Sequence, residues 1–255
     1  MTDSVIKASG LYVGYGNNVL LKSADFEVKK QDIFIIMGGS GSGKSSLLKV
    51  LTGLMPPLDG TFSVCGTDYL KATDEEKLVL MKKTGILYQS GALFSSMTLA
   101  ENVAMVLEQY STYDKKTIDE IVNLKLALVG LAGFNDYYPA EISGGMKKRA
   151  GLARALALDP EIVYFDEPSA GLDPISAARL DELMMYINQN LKTTLVVVTH
   201  ELNSIFTIGT NSIFIDPQTK SVLAKGNPRE LLKNPPNEVV FNFLTRGKGN
   251  EKTTK

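Results

Sequence analysis

Three short runs of consecutive apolar residues mark the interior of this chain. They are Ile33–Met37, Ile162–Phe165 and Leu195–Val198. A run that is apolar at every position is typical of a strand buried on both faces, as in a parallel sheet covered by helices. Because helix-like stretches separate the three runs, we expect a parallel core sheet in an α/β fold.

The N-terminal part has a different pattern, in which glycines and polar turns separate short alternating segments. We predict antiparallel strands at Val5–Val13, Phe26–Val28 and Thr61–Val64. The middle of the chain, about residues 99–158, is predicted to be mostly helical. Its helices are expected at Ala100–Gln109, Asp114–Val129 and Gly144–Leu158, the last one ended by Asp159-Pro160.

These patterns predict one domain over residues 1–255 with three parts and a tail. Residues 1–98 and 159–245 would form the core together with the antiparallel β subdomain, and residues 99–158 would form a helical subdomain. Residues 246–255 are charged and contain glycine, so we expect a disordered tail.

Composition removes some classes of function. The formal net charge is -1, which does not suggest a nucleic-acid-binding surface. The segment Met1–Lys7 is polar and mixed, unlike a secretory signal, and no apolar run reaches the roughly 20 residues that span a bilayer. If the protein acts at a membrane, we expect that a partner crosses it.

A glycine-rich segment follows the first apolar run and opens a predicted helix from Lys44 to about Leu51. Glycines let the backbone direct several N–H groups at one anion, and the helix N-terminus adds partial positive charge. Lys44 would neutralise the outer phosphates of a nucleotide, and the Ser45 hydroxyl would ligate Mg²⁺. The alternative is an ordinary Gly/Ser turn. The phosphate-binding set is Gly38, Gly39, Ser40, Gly41, Ser42, Gly43, Lys44, Ser45 and Ser46.

An acidic pair, Asp166-Glu167, follows the second apolar run. In parallel sheets ligands gather at the carboxyl ends of strands, so Asp166 is predicted to hold Mg²⁺ through water. Glu167 is the better candidate to orient or deprotonate the attacking water. The alternative for the pair taken alone is a solvated turn after a strand.

His200, the one histidine of the chain, follows the third apolar run. At the carboxyl end of a core strand it would face the same crevice and could contact the γ-phosphate. A lone histidine is more often a structural hydrogen-bonding residue. Its position after the third strand favours the functional reading.

A second glycine cluster, Ser143-Gly144-Gly145, begins a basic helix that continues through Lys147-Lys148-Arg149. Ser143 can cap this helix while the glycines leave its first N–H groups accessible to an anion. One phosphate loop and two anion-binding elements suggest a head-to-tail homodimer. Each ATP would then lie between the phosphate loop of one copy and residues 143–145 of the other.

Taken together, the motifs resemble those of the ABC ATPase family over nearly the whole length. The resemblance implies a P-loop NTPase core with a mostly parallel sheet, an N-terminal antiparallel β subdomain and a helical insert. It also implies that Gln89 contacts Mg²⁺ or the attacking water, that Asp173 contributes to nucleotide binding, and that Tyr15 stacks on adenine. Tyr12 is the alternative to Tyr15. Met146 stands where the family usually has glutamine.

The segments Gln89–Phe94, Met97-Thr98 and Ser143–Met146 further resemble the ATPases of MCE-type, Mla-like lipid transporters. This resemblance implies a homodimeric ATPase on the cytoplasmic face of the cell membrane that drives a permease. The permease would handle the lipid, and the complex could include a small regulatory subunit. Leu93, Phe94 and Met97 would either pack locally or form a groove for the permease.

Other readings stay open at this point. An ABC importer or exporter of another substrate has the same motifs, and so does a cell-division ATPase that signals to a membrane partner. The lack of a long coiled-coil insert argues against a DNA-repair ATPase. A P-loop kinase would have no use for the second glycine cluster.

Overall fold

A computed structural model describes residues 4–247 as two compact units, and each is treated separately below. The first unit comprises residues 4–76 and 196–247, and the second comprises Lys77–Leu195. The boundary falls inside one helix and one strand. The sequence predicts a different division, with one lobe at residues 99–158 and the other formed by the residues before and after that segment. Those two lobes stay a prediction.

The strands within residues 4–247 are β1 Ser4–Tyr15, β2 Asn18–Lys29, β3 Ile33–Gly38, β4 Asp59–Val64, β5 Thr67–Asp68, β6 Thr84–Leu87, β7 Ile162–Asp166, β8 Thr194–Val198, β9 Asn211–Asp216 and β10 Ser221–Lys225. The helices are α1 Lys44–Leu51, α2 Asp74–Lys82, α3 Leu99–Tyr110, α4 Lys115–Leu128, α5 Gly144–Ala155, α6 Pro174–Leu191, α7 Leu202–Ile208, α8 Pro228–Lys233 and α9 Glu238–Thr245, with a 3₁₀ turn at Pro139–Glu141. Among these described helices, none combines the length and the apolar character that a membrane span requires.

The first unit contains the antiparallel sheet that the alternating pattern predicts. Its strand order is β2-β1-β4-β5, and β1 pairs antiparallel with both β2 and β4. The three predicted strands lie inside β1, β2 and β4. β1 and β2 are longer than predicted because register shifts, one of them around Gly10 with φ 56°, let the pairing continue past breaks in the alternation.

The core strand Ile33–Gly38 also belongs to the first unit and is buried at every position. It pairs in parallel with β9, which in turn pairs antiparallel with β10. Residues 196–198 of β8 lie on the other side of β3. The predicted buried parallel strand is therefore confirmed, with β10 as an antiparallel edge that the sequence pattern did not indicate.

In the second unit, β6 pairs in parallel with β7, and the beginning of β8 lies beside β7. Helices α3, α4 and α5 pack against one another around Val103, Val122 and Leu152, which are all fully or almost fully buried. Each helix starts at a polar cap, supplied by Thr98, Asp114 and Ser143 respectively. The three predicted helices are confirmed to within a few residues at their ends.

The end of the described chain is more ordered than predicted at two positions. Arg246 is the C-cap of α9, and the Gly247 N–H donates to the Asn242 carbonyl at 2.8 Å. The remainder of the predicted disordered tail, residues 248–255, lies outside the described residues. The predicted α/β class is confirmed by the two sheets and the helices that connect their strands.

Candidate functional site

The phosphate loop joins β3 to α1 in the first unit, and its glycines have steric reasons to be glycines. A Cβ on Gly38 would lie 2.2 Å from the Ile215 carbonyl oxygen of the neighbouring strand. Gly41 and Gly43 have φ angles of +75° and +90°, in the left-handed region that side chains disfavour. The chain can therefore turn tightly into α1, which starts at Lys44 without an acidic residue in its first turn.

Lys44 is 7% exposed, and its Nζ lies over the loop that precedes it. Nζ donates to the carbonyl oxygens of Gly38 at 3.0 Å and Gly39 at 2.9 Å. Within residues 4–247 the buried Ser42 hydroxyl has no hydrogen-bond partner. A buried cation and a buried hydroxyl beside a helix N-terminus form a surface suited to a phosphate group.

Tyr15, at the end of β1, lies beside this loop. Its hydroxyl is 3.4 Å from the Ser46 hydroxyl of α1, and the residue is 51% exposed. Tyr12 is half-buried within β1, and its carbonyl accepts from the Leu58 N–H. The structure therefore places the Tyr15 hydroxyl beside Ser46 at the start of α1, which agrees with the choice of Tyr15.

His200 emerges from the first unit at the carboxyl end of β8. The preceding residue, the buried Thr199, donates its N–H to the Ile36 carbonyl of β3 at 3.3 Å. This bond places His200 near the end of β3, where the phosphate loop begins. Its side chain is 54% exposed, and Nε2 is 3.8 Å from a Glu201 carboxylate oxygen. It is thus an accessible imidazole and not a buried structural one.

The acidic pair lies in the second unit, where β7 ends at Asp166 and the chain turns sharply. Glu167 has a φ of 48°, which is unusual for a side chain larger than glycine and marks a strained position. Lys148 of α5 donates from Nζ to the Pro168 carbonyl at 2.6 Å and to the Ala170 carbonyl at 2.5 Å. Burial lowers the pKa of Lys148, and the charge of the neighbouring Glu167 opposes that shift.

The second glycine cluster forms the N-terminus of α5 as predicted. The Ser143 hydroxyl accepts the Met146 N–H at 3.3 Å, which caps the helix. Gly144 and Ser143 are exposed, and no acidic residue occupies the first turn. The Met146 side chain takes no part in this cap, because only its backbone N–H is used.

Comparison with known proteins agrees with these elements. A family model described as "ABC transporter" matches residues 21–170, which include the phosphate loop, the second glycine cluster and the acidic pair. The chain belongs to the ABC transporter family. The resemblance inferred from the motifs is therefore confirmed.

Two curated relatives cover nearly all of this chain. The probable ribonucleotide transport ATP-binding protein Mkl of Mycobacterium tuberculosis is 39% identical over 239 residues, which are 94% of this chain and 66% of Mkl. The chain thus spans slightly less than two thirds of the length of Mkl. The intermembrane phospholipid transport system ATP-binding protein MlaF of Haemophilus influenzae is 37% identical over 240 residues, 94% of this chain and 90% of MlaF.

Among solved structures, an ATP-binding cassette in a dimeric post-hydrolysis state with ADP and Pi is similar to this chain. Its TM-score is 0.78 at 26% identity, covering 87% of this chain and 98% of that cassette. The predicted fold, an ABC cassette with a P-loop core, is consequently confirmed. The MlaF match also agrees with the narrower resemblance to Mla-type ATPases.

In this ABC family member, Gln89 lies on an exposed loop that follows β6 in the second unit. Arg154 of α5 holds this loop by donating to the carbonyls of Ala92 at 2.7 Å and Gly91 at 3.2 Å. The pKa of Tyr88, which precedes Gln89, is raised mainly by burial. The charge of Arg154 opposes this shift, and the charge of Asp166 adds to it. Leu87 at the end of β6 pairs with Phe165 of β7, so the glutamine loop and the acidic turn leave neighbouring strands at the same edge of the sheet.

Asp173 has a structural task in addition to its predicted contact with nucleotide. Its carboxylate accepts the N–H groups of Ile175 and Ser176, each at 3.0 Å, and so caps α6. Hydrogen bonding to Ser176 lowers the pKa of Asp173. The nucleotide contact stays a prediction.

Mg²⁺ is the metal that the family implies, and the donors present fit its chemistry. Ser45 offers a hydroxyl, Asp166 a carboxylate and Gln89 an amide oxygen, which are the hard oxygen ligands that Mg²⁺ prefers. No group of three or more His, Cys, Asp or Glu side chains suited to a metal occurs in residues 4–247. Such a cluster is not required, because Mg²⁺ in nucleotide sites is held by one or two carboxylates, substrate phosphates and water.

Sequence reasoning missed two basic residues of α5 that hold loops of the second unit, one at the turn after β7 and one at the loop after Gln89. The sequence pattern shows Lys148 only as part of a basic helix start and does not single out Arg154. The spacing of six residues along α5 places them on different sides of the helix, but nothing in the pattern tells which carbonyls they meet. Their partners follow from tertiary packing.

Proposed function

We propose that this chain is the ATP-binding and ATP-hydrolysing subunit of a membrane transporter. The observation that carries the proposal is Lys44, a buried ammonium folded over a glycine loop at the N-terminus of α1. Burying an ammonium group is unfavourable unless it meets acceptors, and a triphosphate supplies far stronger acceptors than two carbonyls do. Family membership agrees with ATP as the ligand.

The main predicted site residues receive the following tasks in the proposed reaction. Tyr15 stacks on adenine, while the loop N–H groups and Lys44 bind the β- and γ-phosphates. Ser45, Gln89 and Asp166 would hold Mg²⁺, which supplies charge neutralisation between the phosphates. Glu167 orients the attacking water and accepts its proton, and His200 donates to the γ-phosphate.

The N-terminus of α5 is proposed to bind the γ-phosphate of an ATP held by a second copy. Ser143, Gly144 and Gly145 present helix N–H groups with no acidic residue to repel an anion. The relative solved as a dimer with ADP and Pi supports this arrangement. ATP would join two copies, and hydrolysis with loss of phosphate would let them separate.

Ser143→Arg tests this shared site directly. A large cation at this helix N-terminus should leave ATP binding by a single copy unchanged but prevent closure of the dimer and hydrolysis. Calorimetry gives the first quantity, and sedimentation with ATP together with phosphate release gives the other two. Full ATPase activity in Ser143→Arg would refute the shared site, and the absence of any ATPase activity in the wild type would refute the whole function.

The membrane partner is proposed to dock beside α3. The segment that precedes α3 is held by the fully buried Asn102 side chain, whose amide donates to the carbonyls of Phe94, Met97 and Thr98 at 2.9–3.1 Å. Phe94, one of the residues held by these bonds, is 50% exposed. Met97, another of them, lines a cavity of about 450 Å³ together with Met105 and two glutamates. We therefore favour the groove over local packing for this segment. The cytoplasmic face of the membrane is the proposed location, as the resemblance to transporter ATPases implies.

Lipid is the proposed substrate of the permease, because MlaF, the relative with 90% coverage, is a phospholipid-transport ATPase. Transport of ribonucleotide is the second candidate, because it is the activity named for Mkl. Affinity purification of the tagged chain from its native membrane, followed by mass spectrometry of proteins and lipids, separates them. A permease with an MCE-domain protein and bound phospholipid supports the first candidate. A division-site permease, or one whose ATPase responds to ribonucleotide alone, would overturn it.

A further inference from the structure

Lys148 is the most deeply buried of the three basic residues that follow Met146 on α5. Only 6% of it is exposed, whereas Lys147 and Arg149 are half-buried. An ammonium at this depth is costly unless its protons meet acceptors. Lys148 meets two of them, the Pro168 and Ala170 carbonyls described above. These charge-assisted bonds are short and correspondingly strong.

The turn that Lys148 holds cannot satisfy all of its own polar groups. The Ala170 N–H donates to the Glu167 carbonyl, and the Leu172 N–H donates to the Ser169 carbonyl, both at 3.1 Å. In the part of the chain that is described, the buried Ser169 hydroxyl has no hydrogen-bond partner. The left-handed φ of Glu167 adds strain. An external donor at the Pro168 and Ala170 carbonyls therefore stabilises a conformation that the turn would otherwise leave.

We propose that Lys148 is a positioning residue for the hydrolysis of ATP, because its two hydrogen bonds fix the turn that carries Glu167. This inference rests on the proposed function of Glu167 and assigns no contact between Lys148 and nucleotide. The bond to the Pro168 carbonyl holds the residue next to Glu167, so loss of the ammonium group releases the catalytic carboxylate from its position. α5 thereby connects the Ser143 cap at its N-terminus with the catalytic turn of the same chain.

A graded set of variants in the full chain tests this role. Lys148→Met removes both bonds and should lower kcat about 10–100-fold, with the KM for ATP changed less than about 3-fold, since small misplacements of a catalytic group cost on this order. Lys148→Arg keeps two or more donors and should retain kcat within about 3-fold. Lys148→Gln keeps one donor group and should lie between them. Lys147→Met removes the same charge from the same turn and should match the wild type.

Thermal unfolding of each variant separates positioning from folding. If Lys148→Met does not fold, the order of kcat for wild type, Lys148→Arg and Lys148→Gln decides the question. Any one of three results would overturn the positioning role. They are a wild-type kcat in Lys148→Gln, a loss expressed in KM and not in kcat, and an equal loss of kcat in Lys147→Met. All of these comparisons require an active wild type. If the wild type itself does not hydrolyse ATP, the proposed function fails, and that result is distinct from failure of the positioning role.

Discussion

Two regions of this protein are built around a buried lysine that donates to two main-chain carbonyls, yet they were not equally visible in the sequence. Lys44 is 7% exposed and bonds to Gly38 and Gly39, which lie just before it in the chain. Lys148 is 6% exposed and bonds to Pro168 and Ala170, which lie about twenty residues after it. The first set of contacts is local and the second is tertiary.

This difference teaches where motif reasoning succeeds. Around Lys44 the glycine spacing already dictates the turn, the helix start and the direction of the ammonium group. Around Lys148 the sequence shows only Lys147-Lys148-Arg149, which looks like any solvated basic helix face. Which of the three is buried depends on how α5 lies against the turn that follows β7. The predictions below test the two regions, beginning with the largest expected effect.

Glu167→Gln should slow ATP hydrolysis on the order of 10²–10⁴-fold, because the amide cannot accept the proton of the attacking water. ATP binding should persist, since the change keeps the shape of the side chain. Phosphate release under saturating ATP measures the first quantity, and calorimetry measures the second. Turnover close to the wild-type rate would show that the catalytic group of the acidic turn lies elsewhere.

Lys44→Ala should abolish tight ATP binding, a loss of roughly 100-fold, because charge-assisted hydrogen bonds contribute about 1.5–3 kcal/mol each. The matched control is Lys49→Ala, which removes the same charge from an exposed position of α1. Calorimetry with both variants, after a check of folding by circular dichroism, makes the comparison. Unchanged affinity in Lys44→Ala would contradict the phosphate loop.

Gly38→Ala and Gly41→Ala should separate steric from conformational demands within the phosphate loop. Both glycines have a positive φ, +154° at Gly38 and +75° at Gly41. A Cβ at position 38 would in addition lie 2.2 Å from a backbone oxygen, whereas one at position 41 meets open space. We expect Gly38→Ala to lower the free energy of unfolding by about 2–3 kcal/mol and Gly41→Ala by about 1 kcal/mol. Urea denaturation measures both. Equal losses would remove the steric argument for Gly38.

Ser143→Ala should have the smallest effect, about 1 kcal/mol on the free energy of unfolding, because it removes the N-cap of α5. Ser143→Asn is the control, since asparagine caps equally well. The same denaturation measurement applies. A larger loss would mean that the start of α5 contributes to the hold on the Glu167 turn.

Much of the fold could be predicted, for reasons that particular elements make clear. Ile33–Met37 and Leu195–Val198 are apolar at every position, and such runs leave few alternatives to a buried strand. By contrast, β9 was not anticipated: Asn211, Ser212 and Asp216 interrupt its apolar pattern, and they are satisfied by contacts such as the Ser212 hydroxyl bond to the Gly226 carbonyl. Local sequence does not reveal such distant partners.

The candidate site divides in the same way. Tyr15 was chosen over Tyr12 by motif position, and its contact with Ser46 agrees with that choice. The conformation of the loop around Gln89 could not be predicted from the sequence, because it depends on Gly91 at a φ of +79° and on Arg154, some sixty residues away. Long-range hydrogen bonds of this kind set the positions of catalytic loops without leaving a local pattern.

The dependence of the specific ATPase rate on protein concentration tests the shared nucleotide site most directly. In the proposed dimer one copy supplies the phosphate loop and the other supplies Ser143–Gly145, so the rate per chain should rise with concentration and approach zero in dilute, monomeric samples. Sedimentation under the same conditions should show the dimer appearing in parallel with activity. A rate per chain that stays constant while the protein is strictly monomeric would contradict the shared site.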